Sequence, residues 1–523
     1  MKTMMGGTTT QFKKQLPRNA LMKVLSFISA LVVGLWLVPY LVKQMGTAAY
    51  GLVPLAGLLT QYVGIISNCL AQSVTRFLTI ELQKDGGRPN VVFNSAIALF
   101  TALAVIQVPL FLLAIVYMQK IFSIPEDLLS DVTILLSCSA VSYLFTLIGG
   151  VFQVSTFSQN RVDIDEGINL TRIVARIILI VVAFSLLGPA LRYIGYIDLM
   201  LTVFILCAKV YYWRKLTPEL QLSLSDIDFR RLRPILGMSG WILINYLGAL
   251  LYLRTDIWIA NRFISAEAAG QYAALLQWGT LIRSTAGTLG FLTAPMVLIY
   301  YSRNEMVQVA NLSRLSIKLL TGLLAIPVAL IAVFSPQLLR IWLGTEFEHL
   351  WPILAIMVSH LFINAGVTPA FQLQTATNHV KVPALVTFGM GVINAALVLV
   401  VVIIFDGGLM GIAIVGAVIL TLKNAIFTPW YAARITRTPK SSFFKPLIAG
   451  LLMVGFVTAL GLLIQQFWQS GSVVGLAMRC ILITILSLGV FWLLALRQDE
   501  RKHLIDLMPG RIRTFAYRLC QNT

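Results

Sequence analysis

The sequence predicts an all-α polytopic membrane protein with about 14 transmembrane helices, in two six-helix bundles related by an internal repeat and followed by a C-terminal helix pair. Three observations predict this class: an apolar composition, many long apolar runs and a one-sided distribution of basic residues. Of the 523 residues, 58% are hydrophobic and only 12% are charged, and the mean hydropathy is +0.84. Because a soluble domain is about 25% charged, this composition is typical of a membrane protein.

Fourteen apolar runs are long enough to cross the roughly 30 Å of hydrocarbon in a bilayer. They lack the period-2 alternation of barrel strands, so each run predicts a helix. The two weakest, 168–188 and 349–373, carry polar residues such as Arg176 and Asn364. The predicted spans, in chain order, are 21–42, 50–74, 91–117, 131–155, 168–188, 191–212, 236–260, 270–298, 314–335, 349–373, 382–405, 408–430, 443–467 and 474–496.

Lys and Arg residues divide unequally between the loops on the two sides of the predicted membrane. With an even number of spans both termini share one side, and the loops and span ends on that side carry 32 of the 40 Lys and Arg residues. The other side carries 5, and Arg254, Arg283 and Arg479 lie within spans. Short loops rich in Lys and Arg stay in the cytoplasm, so both termini are expected there. The net charge of +19 is therefore a topology signal and does not indicate nucleic-acid binding.

The longest polar connection, at 213–235, separates two groups of six spans. We expect an N-terminal six-helix bundle at 1–212, a cytoplasmic linker at 213–235, a C-terminal six-helix bundle at 236–435, and the last two transmembrane helices with a cytoplasmic tail at 436–523.

An internal repeat supports this division. The connections between spans one and two and between spans seven and eight both contain small residues and a Gly near an aromatic residue: Gly51 with Tyr50, and Gly270 with Tyr272. Aligning Gly51 with Gly270 superimposes a helix, a short loop and a second long helix. The identity is weak, but the order of elements repeats.

Four short motifs lie in these repeated regions: GTAAYG after span one, SVTRF around Arg76, RTD from Arg254 to Asp256, and AGQY ending at Tyr272. Together with the six-plus-six-plus-two span count, they resemble the polysaccharide and lipid-linked oligosaccharide flippases of the multidrug/oligosaccharidyl-lipid/polysaccharide exporter superfamily. The resemblance covers most of the chain and is strongest around spans one, two, seven and eight.

Arg254, Asp256 and Arg283 lie well inside predicted spans seven and eight. A charge at bilayer depth costs roughly 2.5–3.5 kcal/mol unless it faces protein, water or a ligand. Arg254 and Asp256 are about 200° apart around one helix, so Asp256 must face another helix, with Arg283 as a candidate partner. Three interpretations stay open: an interhelical ion pair, a cationic patch that lines a cavity, or snorkelling from misjudged helix ends. The charges are no general need of the fold, because the repeat aligns them with Leu35, Leu37 and Gly64.

The resemblance implies a role for these cations. In the family, basic residues of the central cavity are thought to meet the pyrophosphate of a polyprenyl-linked glycan, and that role comes to Arg283 and Arg254, with Arg283 favoured. A guanidinium suits it because its planar fork binds phosphate oxygens with two hydrogen bonds. Arg76 ends span two on the cytoplasmic side, where it either meets the substrate or anchors the helix.

Other polar residues within spans have two interpretations each. Lys423 either snorkels from span twelve to the cytoplasm or lines the cavity. Gln61, Asn68 and Gln72 lie on one stripe of span two, where they either receive sugar hydroxyls or hydrogen-bond to a neighbouring helix. Arg479 in span fourteen is expected to be a snorkelling residue.

No motif predicts an enzyme, a cofactor or a metal site. The chain has no P-loop or dinucleotide fingerprint, which argues against an ATP-driven pump, and its 5 Cys residues form no C-x-x-C pair. The His residues are too scattered for a metal site: His349, His360, His379 and His503.

The function that the resemblance implies is a flippase. It would carry a polyprenyl-(pyro)phosphate-linked oligosaccharide, used for polysaccharides such as O-antigen or capsule, from the cytoplasmic to the outer leaflet of the bacterial cytoplasmic (inner) membrane. Transport would proceed by alternating access, with other glycan-assembly proteins as candidate partners.

The alternative is a Na⁺- or H⁺-coupled multidrug antiporter of the same superfamily, whose members use an acidic residue in span one or seven. Span one has none and span seven has only Asp256, beside an Arg. A non-transporting scaffold is the third reading.

Overall fold

The structure is a computed structural model of the chain, and it describes residues 2–83, 86–291, 293–468 and 471–501. Throughout these ranges the regular secondary structure is helical, and no β-strand occurs in them. The predicted all-α class is therefore confirmed.

The α-helices of the first half, in chain order, are α1 (Lys2–Met45), α2 (Thr47–Val63), α3 (Ile65–Gln83), α4 (Pro89–Val116), α5 (Met118–Ile121), α6 (Leu129–Gly149), α7 (Val154–Ser158), α8 (Val162–Leu187) and α9 (Leu191–Leu216). Those that follow are α10 (Arg233–Leu253), α11 (Thr255–Phe263), α12 (Ala266–Phe291), α13 (Ala294–Ser302), α14 (Met306–Val333), α15 (Ser335–Trp342), α16 (Trp351–Ser359), α17 (Leu361–Asn364), α18 (Thr368–Ala376), α19 (Lys381–Ile403), α20 (Gly408–Thr421), α21 (Thr428–Thr436), α22 (Lys445–Phe467) and α23 (Val473–Val490). Two π-helical turns extend α20 and α23: Leu422–Phe427 and Phe491–Ala495.

The described helices include 11 segments that are long and apolar enough to cross a membrane. A twelfth is added if α2 and the start of α3, which meet at an angle of 58°, form one bent span. The two remaining predicted spans, 236–260 and 270–298, lie outside this set, and they correspond to α10 with α11 and to α12 with α13. In the described residues, all fourteen predicted spans thus fall on helical segments, and the chain is a multi-pass membrane protein.

The helices group into two compact units. The first comprises Met1–Gln277 and Ala384–Leu409, and the second comprises Trp278–Pro383 and Met410–Thr523. The boundary between Gln277 and Trp278 lies within α12. The predicted domain boundaries at 212, 235 and 435 stay a prediction.

Each unit has an aromatic and aliphatic core of its own. In the first unit Trp213 stacks with Phe93 and packs against Phe152, at ring-centroid distances of 5.5 and 5.1 Å. In the second, buried Val309 and Phe443 lie in one apolar cluster. Many other large apolar side chains remain exposed on the long helices, as expected for surfaces that face lipid tails.

Residues 219–223 of the predicted linker are hydrogen-bonded to α4. The Asn94 side chain donates to the Gln221 carbonyl at 2.8 Å and accepts from the Ser223 amide at 2.9 Å. One turn earlier, Asn90 makes the same kind of pair with the Glu219 carbonyl and the Gln221 amide. Two amides at i and i+4 thus satisfy the backbone groups that an irregular segment leaves open.

Candidate functional site

The seventh predicted span is interrupted at Arg254. Helix α10 ends at Leu253 and α11 begins at Thr255, and Arg254 between them has φ −135° and ψ −28°. The Leu250 carbonyl accepts from the Arg254 amide at 3.0 Å and from the Thr255 hydroxyl at 3.3 Å, so the Arg254 amide stays hydrogen-bonded at the break. The interruption gives α11 an N-terminus of its own inside the span.

Asp256 lies in the first turn of α11 and is only 5% exposed. A helix N-terminus favours negative charge, which helps to explain a carboxylate at this depth. Its Oδ2 accepts a hydrogen bond from the buried Tyr272 hydroxyl of α12 at 3.0 Å. Asp256 thus contacts a neighbouring helix, as its position on the helix requires. The sequence singled out Tyr272 only as the aromatic residue near Gly270, and the pairing of Asp256 with Arg283 stays a prediction.

The Arg254 guanidinium is partly buried in the first unit. Among the described residues, its side chain makes no ion pair and no hydrogen bond. A guanidinium carries five N–H donors and stays charged. At this position Arg254 therefore offers its donors and its charge to a ligand or to water.

The break in span seven contacts the bend in span two. The Tyr62 hydroxyl, one residue before the end of α2, is hydrogen-bonded to the Thr255 hydroxyl at the start of α11. At the same bend, the Gln107 side-chain amide of α4 donates to the Val63 carbonyl at 3.1 Å. The Tyr62–Thr255 hydrogen bond thus joins the two helix interruptions within the first unit.

Arg283 belongs to the part of α12 that lies in the second unit, and it is partly buried. Its side chain runs back along the helix over Gly279, where an added Cβ would lie 2.9 Å from the Arg283 Nη1 atom. Gly279 therefore provides the space in which this guanidinium lies.

The second unit also contains a polar cluster that joins the tenth and twelfth spans. The Asn364 amide lies 2.6 Å from His360 Nδ1 and donates to the Thr421 hydroxyl at 3.1 Å. The Asn364 Oδ1 atom is buried and has no hydrogen-bond partner among the described residues. Asn424 lies in the π-helical turn that extends α20, and its Nδ2 atom is 3.5 Å from the Asn364 carbonyl. Sequence reasoning assigns His360 no role, because the scattered histidines only argue against a metal site.

Lys423 precedes Asn424 in this π-helical turn and is only 6% exposed. Its ammonium lies 5.0 Å from the centre of the Phe371 ring and 3.4 Å from the Asn424 side-chain oxygen. A snorkelling lysine ends in water, whereas this one ends inside the second unit.

The expected snorkelling of Arg479 is wrong. The residue is 2% exposed, and its guanidinium donates to the Gln337 side chain at 2.6 Å and to the Gly475 and Trp468 carbonyls at 3.2 Å each. It also lies 5.1 Å from the centre of the Phe334 ring. Satisfied donors make Arg479 a structural residue that ties α23 to α15.

Of the polar stripe predicted on span two, only Gln61 has a described side chain. Gln61 is partly buried, and its amide has no hydrogen-bond partner in the described part of the chain. Asn68, Gln72 and Arg76 lie outside the described side chains, so their roles stay predictions.

Comparison with known proteins places this architecture. Over 430 residues the chain is 31% identical to the membrane protein EpsK of Bacillus subtilis, covering 82% of the chain and 85% of EpsK. Over 305 residues it is 25% identical to the probable low-salt glycan biosynthesis flippase Agl15 of Haloferax volcanii, covering 56% of the chain and 61% of that protein. No family model matches the chain.

Two solved structures share the fold. The lipid II flippase MurJ in an inward closed conformation matches with a TM-score of 0.65 at 13% identity, over 91% of this chain and 98% of that one. An inward-facing multidrug resistance MATE transporter matches with a TM-score of 0.61 at 15% identity, over 79% and 96%. The sequence identity to EpsK shows that the chain belongs to the same family of membrane proteins as EpsK.

Proposed function

We propose that the protein is a flippase that moves a polyprenyl-(pyro)phosphate-linked oligosaccharide from the cytoplasmic to the outer leaflet of a bacterial cytoplasmic membrane. Two similar proteins, MurJ and Agl15, are named as flippases, one for lipid II and one in glycan biosynthesis. The bacterial origin of EpsK supports the location, and the one-sided distribution of basic residues supports cytoplasmic termini.

The observation that carries the proposal is the state of Arg254. This guanidinium interrupts a span, is partly buried and has no counter-ion among the described residues. Holding an uncompensated cation at such a position costs stability. A phosphate-bearing substrate would offset that cost, because guanidinium and phosphate form strong paired hydrogen bonds.

Arg283 and Lys423 extend the cationic character to the second unit. The Arg283 guanidinium lies over Gly279, and Lys423 lies in a π-helical turn, a feature found often at functional sites. In the cluster that contains Asn424, the buried Asn364 Oδ1 atom has no hydrogen-bond partner among the described residues, and it is an acceptor suited to a sugar hydroxyl. We assign phosphate contacts to the two arginines and glycan contacts to this polar cluster.

The test is translocation in liposomes. The purified protein is reconstituted with a fluorescent polyprenyl-pyrophosphate oligosaccharide, and exposure of the label to a membrane-impermeant reductant outside is followed in time. Arg254→Gln and Arg283→Gln should each slow translocation about 10–100-fold, the loss expected for a hydrogen-bonded charge.

Arg262→Gln is the matched control. Arg262 is an exposed cation on α11, the helix that begins directly after Arg254. It should translocate at the wild-type rate. Wild-type rates in both Arg254→Gln and Arg283→Gln would contradict the proposed site.

The antiporter reading has its own support in the MATE structures and in Asp256, a buried carboxylate in span seven. It predicts efflux of a cationic dye driven by a Na⁺ or H⁺ gradient and abolished by Asp256→Asn. Dye efflux without any movement of the labelled lipid would select the antiporter over the flippase.

A further inference from the structure

A cavity of about 620 Å³ lies in the second unit, apart from the cationic residues discussed above. One wall is the N-terminal half of α14, another is the start of α22, and the third is the segment that follows the π-helical turn Phe491–Ala495. Three chain segments distant in sequence thus line one open cavity.

The α14 wall follows from helical periodicity. Gln308, Asn311, Leu315 and Lys318 recur at intervals of three or four residues, which places them on one face. Arg314 joins this face and contacts the Asn311 side-chain oxygen. The side of α14 that lines the cavity is therefore mostly polar.

The charges that line the cavity do not balance. Lys318 pairs with Glu500 at 2.5 Å, and Glu500 also accepts from the Arg497 amide at 2.8 Å. Three further cations, Arg314, Lys445 and Arg497, line the same space without an ion pair to any described residue. Asp499 is the remaining carboxylate of the lining, so the cavity keeps a net positive charge.

The cavity lies where spans end. It is lined by residues near the start of α14 and α22 and by residues just beyond the last predicted span. This is the side that the distribution of Lys and Arg predicts to be cytoplasmic. Cations of this kind between span ends attract anionic lipid headgroups, at about 1 kcal/mol for each Lys or Arg near the surface.

We infer that this cavity is a binding site for the phosphate-bearing headgroup of an anionic membrane lipid. Arg314, Lys445 and Arg497 bind the phosphate oxygens, and the Lys318–Glu500 pair holds the segment after the last span against α14. The inference goes beyond the proposed transport function, since it concerns a resident lipid and a surface that the transported glycan does not need.

Native mass spectrometry of the full-length protein tests it. Protein in phosphatidylcholine nanodiscs is compared with protein in nanodiscs that also contain phosphatidylglycerol, and lipids that remain bound after gentle activation are counted. The double variant R314Q/K445Q should retain phosphatidylglycerol about 30-fold less tightly, about fivefold for each cation removed. Thermal unfolding gives a second readout, because phosphatidylglycerol should raise the Tm of the wild type but not of the variant.

The control R303Q/K440Q removes two exposed cations that do not line the cavity. It should retain phosphatidylglycerol like the wild type. Equal retention by R314Q/K445Q and the control would overturn the site.

Inorganic pyrophosphate that binds the wild type in phosphatidylcholine nanodiscs and displaces phosphatidylglycerol would instead assign the cavity to a soluble phosphate. Should R314Q/K445Q fail to fold, the single variant R497Q must lower retention about fivefold for the inference to stand.

Discussion

Gly51 and Gly270, which occupy equivalent positions in the internal repeat, touch each other in the first unit. A Cβ added to Gly51 would lie 2.7 Å from the Gly270 nitrogen, and one added to Gly270 would lie 2.0 Å from the Thr47 carbonyl oxygen. The start of α2 and the start of α12 therefore cross with their backbones in contact. The repeat places a Gly on each helix where they meet, and the small residues around both positions permit this close approach.

Gly270→Ala should destabilise the protein by about 1–3 kcal/mol, because its methyl group meets backbone atoms that cannot move aside cheaply. The measurement is the free energy or the midpoint of thermal unfolding in detergent. Gly287→Ala is the control on the same helix, since its Cβ would meet nothing within 4 Å. A Gly270→Ala protein as stable as Gly287→Ala would show that the two helices do not cross this closely.

The sequence predicted the fold better than the site, for a physical reason. The number of spans follows from hydrophobicity, which can be read from each apolar run without knowing its neighbours in the fold. Side-chain contacts depend on which helices become neighbours, and a single sequence does not state that. Hence Asp256 was assigned to another helix correctly, but Tyr272 was missed as its donor. Arg479 was misjudged because burial among Gln337 and two carbonyls leaves no local signal.

Tyr272→Phe removes the hydroxyl that donates to Asp256 in a buried setting. Hydrogen bonds to charged groups contribute about 1.5–3 kcal/mol, so unfolding should become easier by that amount. In a double-mutant cycle with Asp256→Asn, the two changes should show coupling of at least about 0.5 kcal/mol. Tyr196→Phe, at an exposed tyrosine of α9, is the control and should leave stability unchanged. Strict additivity of Tyr272→Phe and Asp256→Asn would mean that the two side chains do not interact.

Arg479→Gln leaves the Gln337 side chain and two carbonyls without their donor in a buried site. The expected loss is on the order of 3 kcal/mol, and Arg479→Lys should lose less because it keeps the charge but not the fork. Thermal unfolding measures both. Arg340→Gln removes an exposed arginine paired with Glu348 and should change stability far less. A loss no greater than that of Arg340→Gln would return Arg479 to the snorkelling interpretation.

Lys423→Met separates a transport role of this lysine from a structural one. Methionine matches the length of the lysine stem and retains contact with the Phe371 ring, while it removes a buried charge. Replacing a buried charge by an apolar residue of similar volume is often neutral or stabilising, so the unfolding midpoint should stay the same or rise. If Lys423 contacts the transported lipid, the liposome assay should nevertheless show at least about tenfold slower translocation, the loss of one charge-assisted hydrogen bond. Lys440→Met removes an exposed lysine from the same unit and should leave both stability and translocation unchanged. A stable Lys423→Met protein that translocates at the wild-type rate would exclude Lys423 from the transport path.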